Sequence, residues 1–176
     1  VGRVEEIQVK HLREAVEKVS QSSMPDFDAE VYAHGLSLQR IRSAWLKPVK
    51  TDKEVIKMAN KRLKARKQEA KCGDLNTAIG VLGYNPNEDA LKLKFYVFDM
   101  PVEDISMKHR IHLMKTFQYS VVKPLGLSDV FEFLYPVETH SVQERLDLRN
   151  SVVADGWEGL VHAAPDDLYT FNTKVY

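Results

Sequence analysis

The sequence predicts an α+β fold in which mixed, mostly antiparallel strands are flanked by helices. Three observations lead there. Segments whose apolar residues recur at helical intervals alternate with segments of two-residue alternation. No regular β-α-β period runs through the chain. No Gly-rich G-x-x-x-x-G-K-[ST] phosphate loop is present. With 176 residues and 44% hydrophobic content, the chain can fill a core of ordinary domain size.

Along the chain, residues 4–20 place Ile7, Leu12, Val16 and Val19 at helical spacing with charges between them, predicting an amphipathic helix. Residues 26–35 alternate Phe27, Ala29, Val31 and Ala33 with Asp28, Glu30, Tyr32 and His34, predicting a strand with one polar face. Residues 52–71 are highly charged, with an apolar seam of Val55, Ile56, Met58, Ala59 and Leu63, and predict a mostly exposed helix. Residues 72–90, punctuated by Gly73, Gly80, Gly83, Asn85, Pro86 and Asn87, predict a loop or insertion.

Residues 91–100 predict a buried strand ended by Pro101, and a helix is expected from about Ser106 to Phe117. A short strand is expected within residues 130–138. Ser141 and Glu144 carry capping-box spacing, opening a helix that Gly156 ends. Residues 157–176 predict two strands turned at Pro165, Asp166 and Asp167.

Bulk charge points nowhere in particular: 25 Lys plus Arg balance 25 Asp plus Glu, so any polyanion would be held by local clusters. The single cysteine, Cys72, excludes an internal disulfide, and no Cys/His spacing suits a structural zinc. Without an apolar run of membrane length or an apolar secretory core near Val1, a soluble, cytoplasmic protein is expected.

Three separated segments carry chemistry. FDAEVYAHG (27–35), FYVFDM (95–100) and EGLV (158–161) resemble, in order, motifs III, IIIa and IV of the covalent nucleotidyltransferases: ATP-dependent DNA ligases, RNA ligases and capping guanylyltransferases. Ala29 stands where that family commonly has Gly, and Arg110 stands where it often has an arginine. The His-Gly of His34-Gly35 and the Glu opening the third motif favour a phage-type DNA ligase. No Lys-x-Asp-Gly precedes Glu30, and the family's Lys-x-Lys would fall beyond Tyr176. Residues 1–176 are therefore expected to be a partial adenylation domain of ATP-grasp-like fold, without the nucleophilic lysine and without an oligonucleotide-binding barrel.

The resemblance implies an enzyme that takes ATP and magnesium and seals nicked duplex DNA through enzyme-AMP and DNA-adenylate intermediates, in replication, repair or recombination. A monomer is expected, with a phage gene acting in a bacterial host as one setting. By the same resemblance Glu30 and Glu158, each expected on a strand, are the catalytic, metal-binding carboxylates. Phe98 is the adenine platform, and Lys174 joins these three at the nucleotide.

Plainer readings stand beside these. Glu30 also fits as the polar-face residue of an alternating strand, and Phe95, Val97 and Phe98 would fill any α+β core. Asp99 suits fixing local backbone, and His34 a structural hydrogen bond. Arg40 and Arg42 lie just after the first motif without assignable partners. The run Lys53, Lys57, Lys61, Arg62, Lys64, Arg66 and Lys67 reads either as a solvated helix face or as a contact for DNA backbone. An RNA ligase or capping-type transferase, and a non-catalytic nucleic-acid-binding remnant, are the competing functions.

Overall fold

The computed structural model describes residues 7–23, 26–46 and 50–170, and among these it is an α+β protein with seven α-helices and one three-stranded mixed sheet. The chain divides into two compact units. One comprises residues 15–35 and the described residues from Lys94 on; the other comprises the described residues up to Glu14 and Leu36–Leu93. The boundary falls within helix α1 (Lys10–Val19).

In the first unit, strands β1 (Asp28–Tyr32), β2 (Lys94–Asp99) and β3 (Phe131–Phe133) are ordered β1-β2-β3. β1 pairs antiparallel and β3 parallel to β2. The parallel pair needs a crossover, which passes through helix α6 (Met107–Phe117) and a π-helical turn at Gln118–Val122. Side-chain alternation places Phe95, Val97, Phe131 and Phe133 on one face. Phe27 and Phe117 join them: Phe27 stacks on Phe117 at 5.4 Å and Phe95 on Phe131 at 5.3 Å between centroids. Phe117, Val97, Met100 and Met114 are completely buried here. Full burial of each such side chain contributes about 1.5–3 kcal/mol.

The second unit is helical. α3 (Asp52–Ala65) packs on α4 (Leu75–Leu82), and α2 (Leu38–Leu46) on α5 (Pro86–Leu91). Val55, Ala59 and Leu63 of α3 close a core with Cys72, Ala78 and Leu82. The segment expected to be a loop is therefore mostly helix. Its turn residues are caps: Asp74 accepts from the Thr77 N–H, Gly83 ends α4 at φ 75°, and Asn85 caps α5 with Pro86 in its first turn. Gly80 lies inside α4, where neighbouring apolar residues outweigh its low propensity.

Two more expectations are corrected. Residues 157–170 form no strand; a single bridge between Ser106 and Leu168 is all the sheet-like pairing there, and 171–176 lie outside the described residues. Helix α7 (Val142–Ala154) forms as expected, but Glu144 reaches back to the His140 N–H instead of that of Ser141. α7 buries none of its residues, so its caps matter more than its packing. The complete capping box is at Thr51 and Glu54, opening α3.

Candidate functional site

The sheet's second face carries the first two motifs. Register places Glu30 opposite Tyr96, Tyr96 opposite Glu132, and Tyr32 opposite Lys94, all on the side away from the phenylalanine core. The register slips where Ala29 pairs with Val97 but Asp28 pairs with Asp99, which leaves Phe98 as the extra residue of a bulge. Phe98 is 46% exposed between buried Val97 and Asp99. Its side chain is therefore not core, unlike those of Phe95 and Val97. Glu30 is exposed as well and makes no hydrogen bond or ion pair with another described residue.

The third motif reaches this face through Trp157. Gly156, at φ 89°, turns the chain out of α7 in a conformation that favours glycine. Trp157 then stacks on Tyr32 at 5.4 Å, meets Tyr96 edge-on at 5.7 Å and lies 4.9 Å from the His34 ring. His34 thus makes a ring contact where a structural hydrogen bond was expected. Burial, reinforced by the Glu132 carboxylate, raises the Tyr96 phenol above its ordinary pKa. Glu158, next to Trp157, is exposed and belongs to no strand, which corrects the expectation of a rigid strand position. Glu158 has no hydrogen bond or ion pair to another described residue. Lys174 lies outside the described residues.

A buried node holds the chain after the third motif. Arg110, 3% exposed on α6, donates from Nε to Asp99 Oδ1 at 2.7 Å and from Nη1 to the Asp167 carbonyl at 2.9 Å and the Ile105 carbonyl. Asp99 Oδ1 also accepts from the Met100 N–H at 2.8 Å, so it does fix local backbone. The Arg110 guanidinium lies 5.3 Å from the centre of the Tyr169 ring, and the Tyr169 hydroxyl donates to Asp28 Oδ2 at 2.7 Å. That hydrogen bond, more than burial, pushes the Tyr169 pKa up to about 12. Trp157, Tyr32, Tyr96 and Tyr169 were not singled out from the sequence as site residues. The aromatic content of the motif segments could have flagged Tyr32 and Tyr96; Trp157 and Tyr169 lie outside those segments.

Arg40 finds its partner in the second unit. It is bidentate to Asp89 at 2.6 and 2.8 Å and lies 4.3 Å over the Tyr84 ring; the Asp89 hydrogen bond raises its pKa. Arg42 is exposed. Arg62 donates to the Leu82 carbonyl and is therefore structural.

Among the described residues no three His, Cys, Asp or Glu side chains gather as a metal site. Two open concavities, of about 440 and 470 Å³, are lined by residues such as Val137, Glu144 and Asp147, and Asn60, Lys64 and Lys71; neither includes Glu30, Phe98 or Glu158. No helix of the described residues is long and apolar enough to cross a membrane.

No protein-family model and no curated protein matches the chain. Among solved structures, a chain from a structure–function study of DNA binding by Lig E DNA ligases aligns with a TM-score of 0.41 at 24% identity. The alignment covers 48% of this chain and 31% of the other. That overlap is too slight for fold or activity to be carried across.

Proposed function

We propose that this chain is part of the nucleotidyltransferase domain of an ATP-dependent DNA ligase, and that the Glu30-bearing side of its sheet receives the adenine nucleotide. The observation that supports this best is the β1–β2 pairing, which sets the first two motif segments side by side and leaves both Glu30 and the bulged Phe98, 68 positions apart in sequence, exposed. Both carry the types the motifs require, a carboxylate for ribose or metal and a flat ring for a base. Trp157 on Tyr32 draws the Glu158 segment to the same face.

Magnesium fits this donor set in one way. The ion usually takes one or two carboxylates together with substrate phosphates and water, so Glu30 and Glu158 would hold it only with nucleotide present. When bound it would offset charge on the α phosphate. Lys174 would add a cation near that phosphate. The 176 residues contain no Lys-x-Asp-Gly, so covalent transfer of AMP to this chain is not expected.

The test is titration with ATP and magnesium, followed by isothermal calorimetry. Phe98→Ala and Glu30→Gln are expected to weaken binding about tenfold or more each, while Glu103→Gln leaves it unchanged. Undetectable binding, or equal affinity in all variants, overturns the reading.

A further inference from the structure

The chain's neutrality hides a strongly basic stretch. Residues 52–71 hold eight Lys and Arg against three Asp and Glu, which leaves the remainder acidic. The helix sorts these charges. Arg62 is turned inward to the Leu82 carbonyl, while Lys53, Lys57, Lys61 and Lys64 are all exposed. Their spacing of four, four and three residues keeps them in one line, opposite the seam of Val55, Ala59 and Leu63. None of the four makes an ion pair with another described residue.

The line continues past the helix. α3 closes with the Gln68 N–H on the Leu63 carbonyl and the Lys67 N–H on that of Lys64, a Schellman pattern. Its left-handed position, usually Gly, is Lys67 at φ 55°. A lysine there costs about 1 kcal/mol or more in backbone strain. With Lys64 and Lys71 it rims the open concavity of about 470 Å³ that follows the helix.

We infer that Lys53, Lys57, Lys61 and Lys64, extended by Lys67 and Lys71, form a ridge that binds the phosphate backbone of duplex DNA. Four lysines over about 16 Å of helix axis span several phosphates, which recur about every 3.4 Å of axis on each strand. Lysine meets phosphate as a point charge and reads no base, so binding would be independent of sequence. A single strand would call for aromatic platforms between the cations, and α3 has no aromatic residue. The ridge rests on the ligase reading only in the choice of DNA as the polyanion.

The experiment is duplex-DNA binding by the whole chain, read by fluorescence anisotropy across a salt series without nucleotide. Substituting Gln for Lys53, Lys57, Lys61 and Lys64 together is expected to weaken binding at low salt about tenfold or more and to lower the salt slope by roughly four. Gln retains helix propensity, and circular dichroism checks that α3 persists. Arg at the same four positions is expected to retain binding. A control removing four exposed lysines elsewhere, Lys18, Lys92, Lys108 and Lys123, loses the same charge and is expected to bind nearly as the parent does.

Equal loss in ridge and control variants, no loss in the ridge variant, or no binding by the parent chain at low salt overturns the inference. Nucleotide binding, measured without DNA, decides the ligase reading separately, so failure of one is distinguishable from failure of the other.

Discussion

Tyr169 joins two parts of the first unit through its side chain: its hydroxyl donates to Asp28 of β1 and its ring faces Arg110 of α6. Because the carboxylate favours the protonated phenol, its folded pKa of about 12 lies above the ordinary value. Native protein thus keeps a proton that the unfolded chain releases near pH 10. The stability from this contact is fully present below about pH 10 and is lost as pH rises through the folded value. Difference absorbance during alkaline titration should show Tyr169 among the late phenols, with Tyr96 and Tyr135, whose burial also raises them. Asp28→Ala should remove one phenol from that late group; a late group unchanged in amplitude would show that the Asp28 contact does not hold the Tyr169 proton. Arg110 shows how far motif reading reaches at this scale. Its position after the second motif matched an arginine common in the family, but its carbonyl partners at Ile105 and Asp167 follow from how the chain folds back, which no local pattern encodes.

Elements were legible where one signal dominated. The period-two alternation of residues 26–35 and the apolar run of 91–100 became β1 and β2, and the charged stretch became α3. Residues 72–90 misled because Gly, Asn and Pro serve turns and helix caps alike, and only neighbours distinguish the uses. Helix α2 is short and carries only Ile41 and Ala44 as buried residues, a signal too weak to stand out beside its arginines, of which Arg40 is spent on Asp89. The Phe98 bulge could not be read from β2 alone, since it is defined by the register of β1. The end of α3 offers a prediction at this level. Lys67→Gly removes left-handed strain of about 1–2 kcal/mol but increases unfolded-state freedom by about 0.5–1 kcal/mol. A net gain of about 0.5–1 kcal/mol is expected in urea denaturation of the whole chain. A loss would mean that the lysine side chain makes a stabilising contact outweighing its backbone strain.

At the scale of the molecule, connectivity sets the energetics: residues 36–93 enter and leave between β1 and β2, whose pairing they interrupt in sequence. If that insert unfolds alone, β1 and β2 must stay paired across a flexible loop of about sixty residues, which costs about 3–4 kcal/mol. Loss of order in the insert should therefore weaken the sheet, though by less than it weakens the insert itself. Each unit holds one of the two tryptophans, Trp45 in α2 and Trp157 beside β1, so Trp→Phe variants report on them separately. Leu63→Ala, which opens the α3–α4 core at a cost of about 2–5 kcal/mol, should lower the denaturation midpoint read by Trp45 and shift that of Trp157 less. Phe117→Ala should do the reverse. Identical shifts at both reporters in both variants would show that the two cores unfold as one cooperative body.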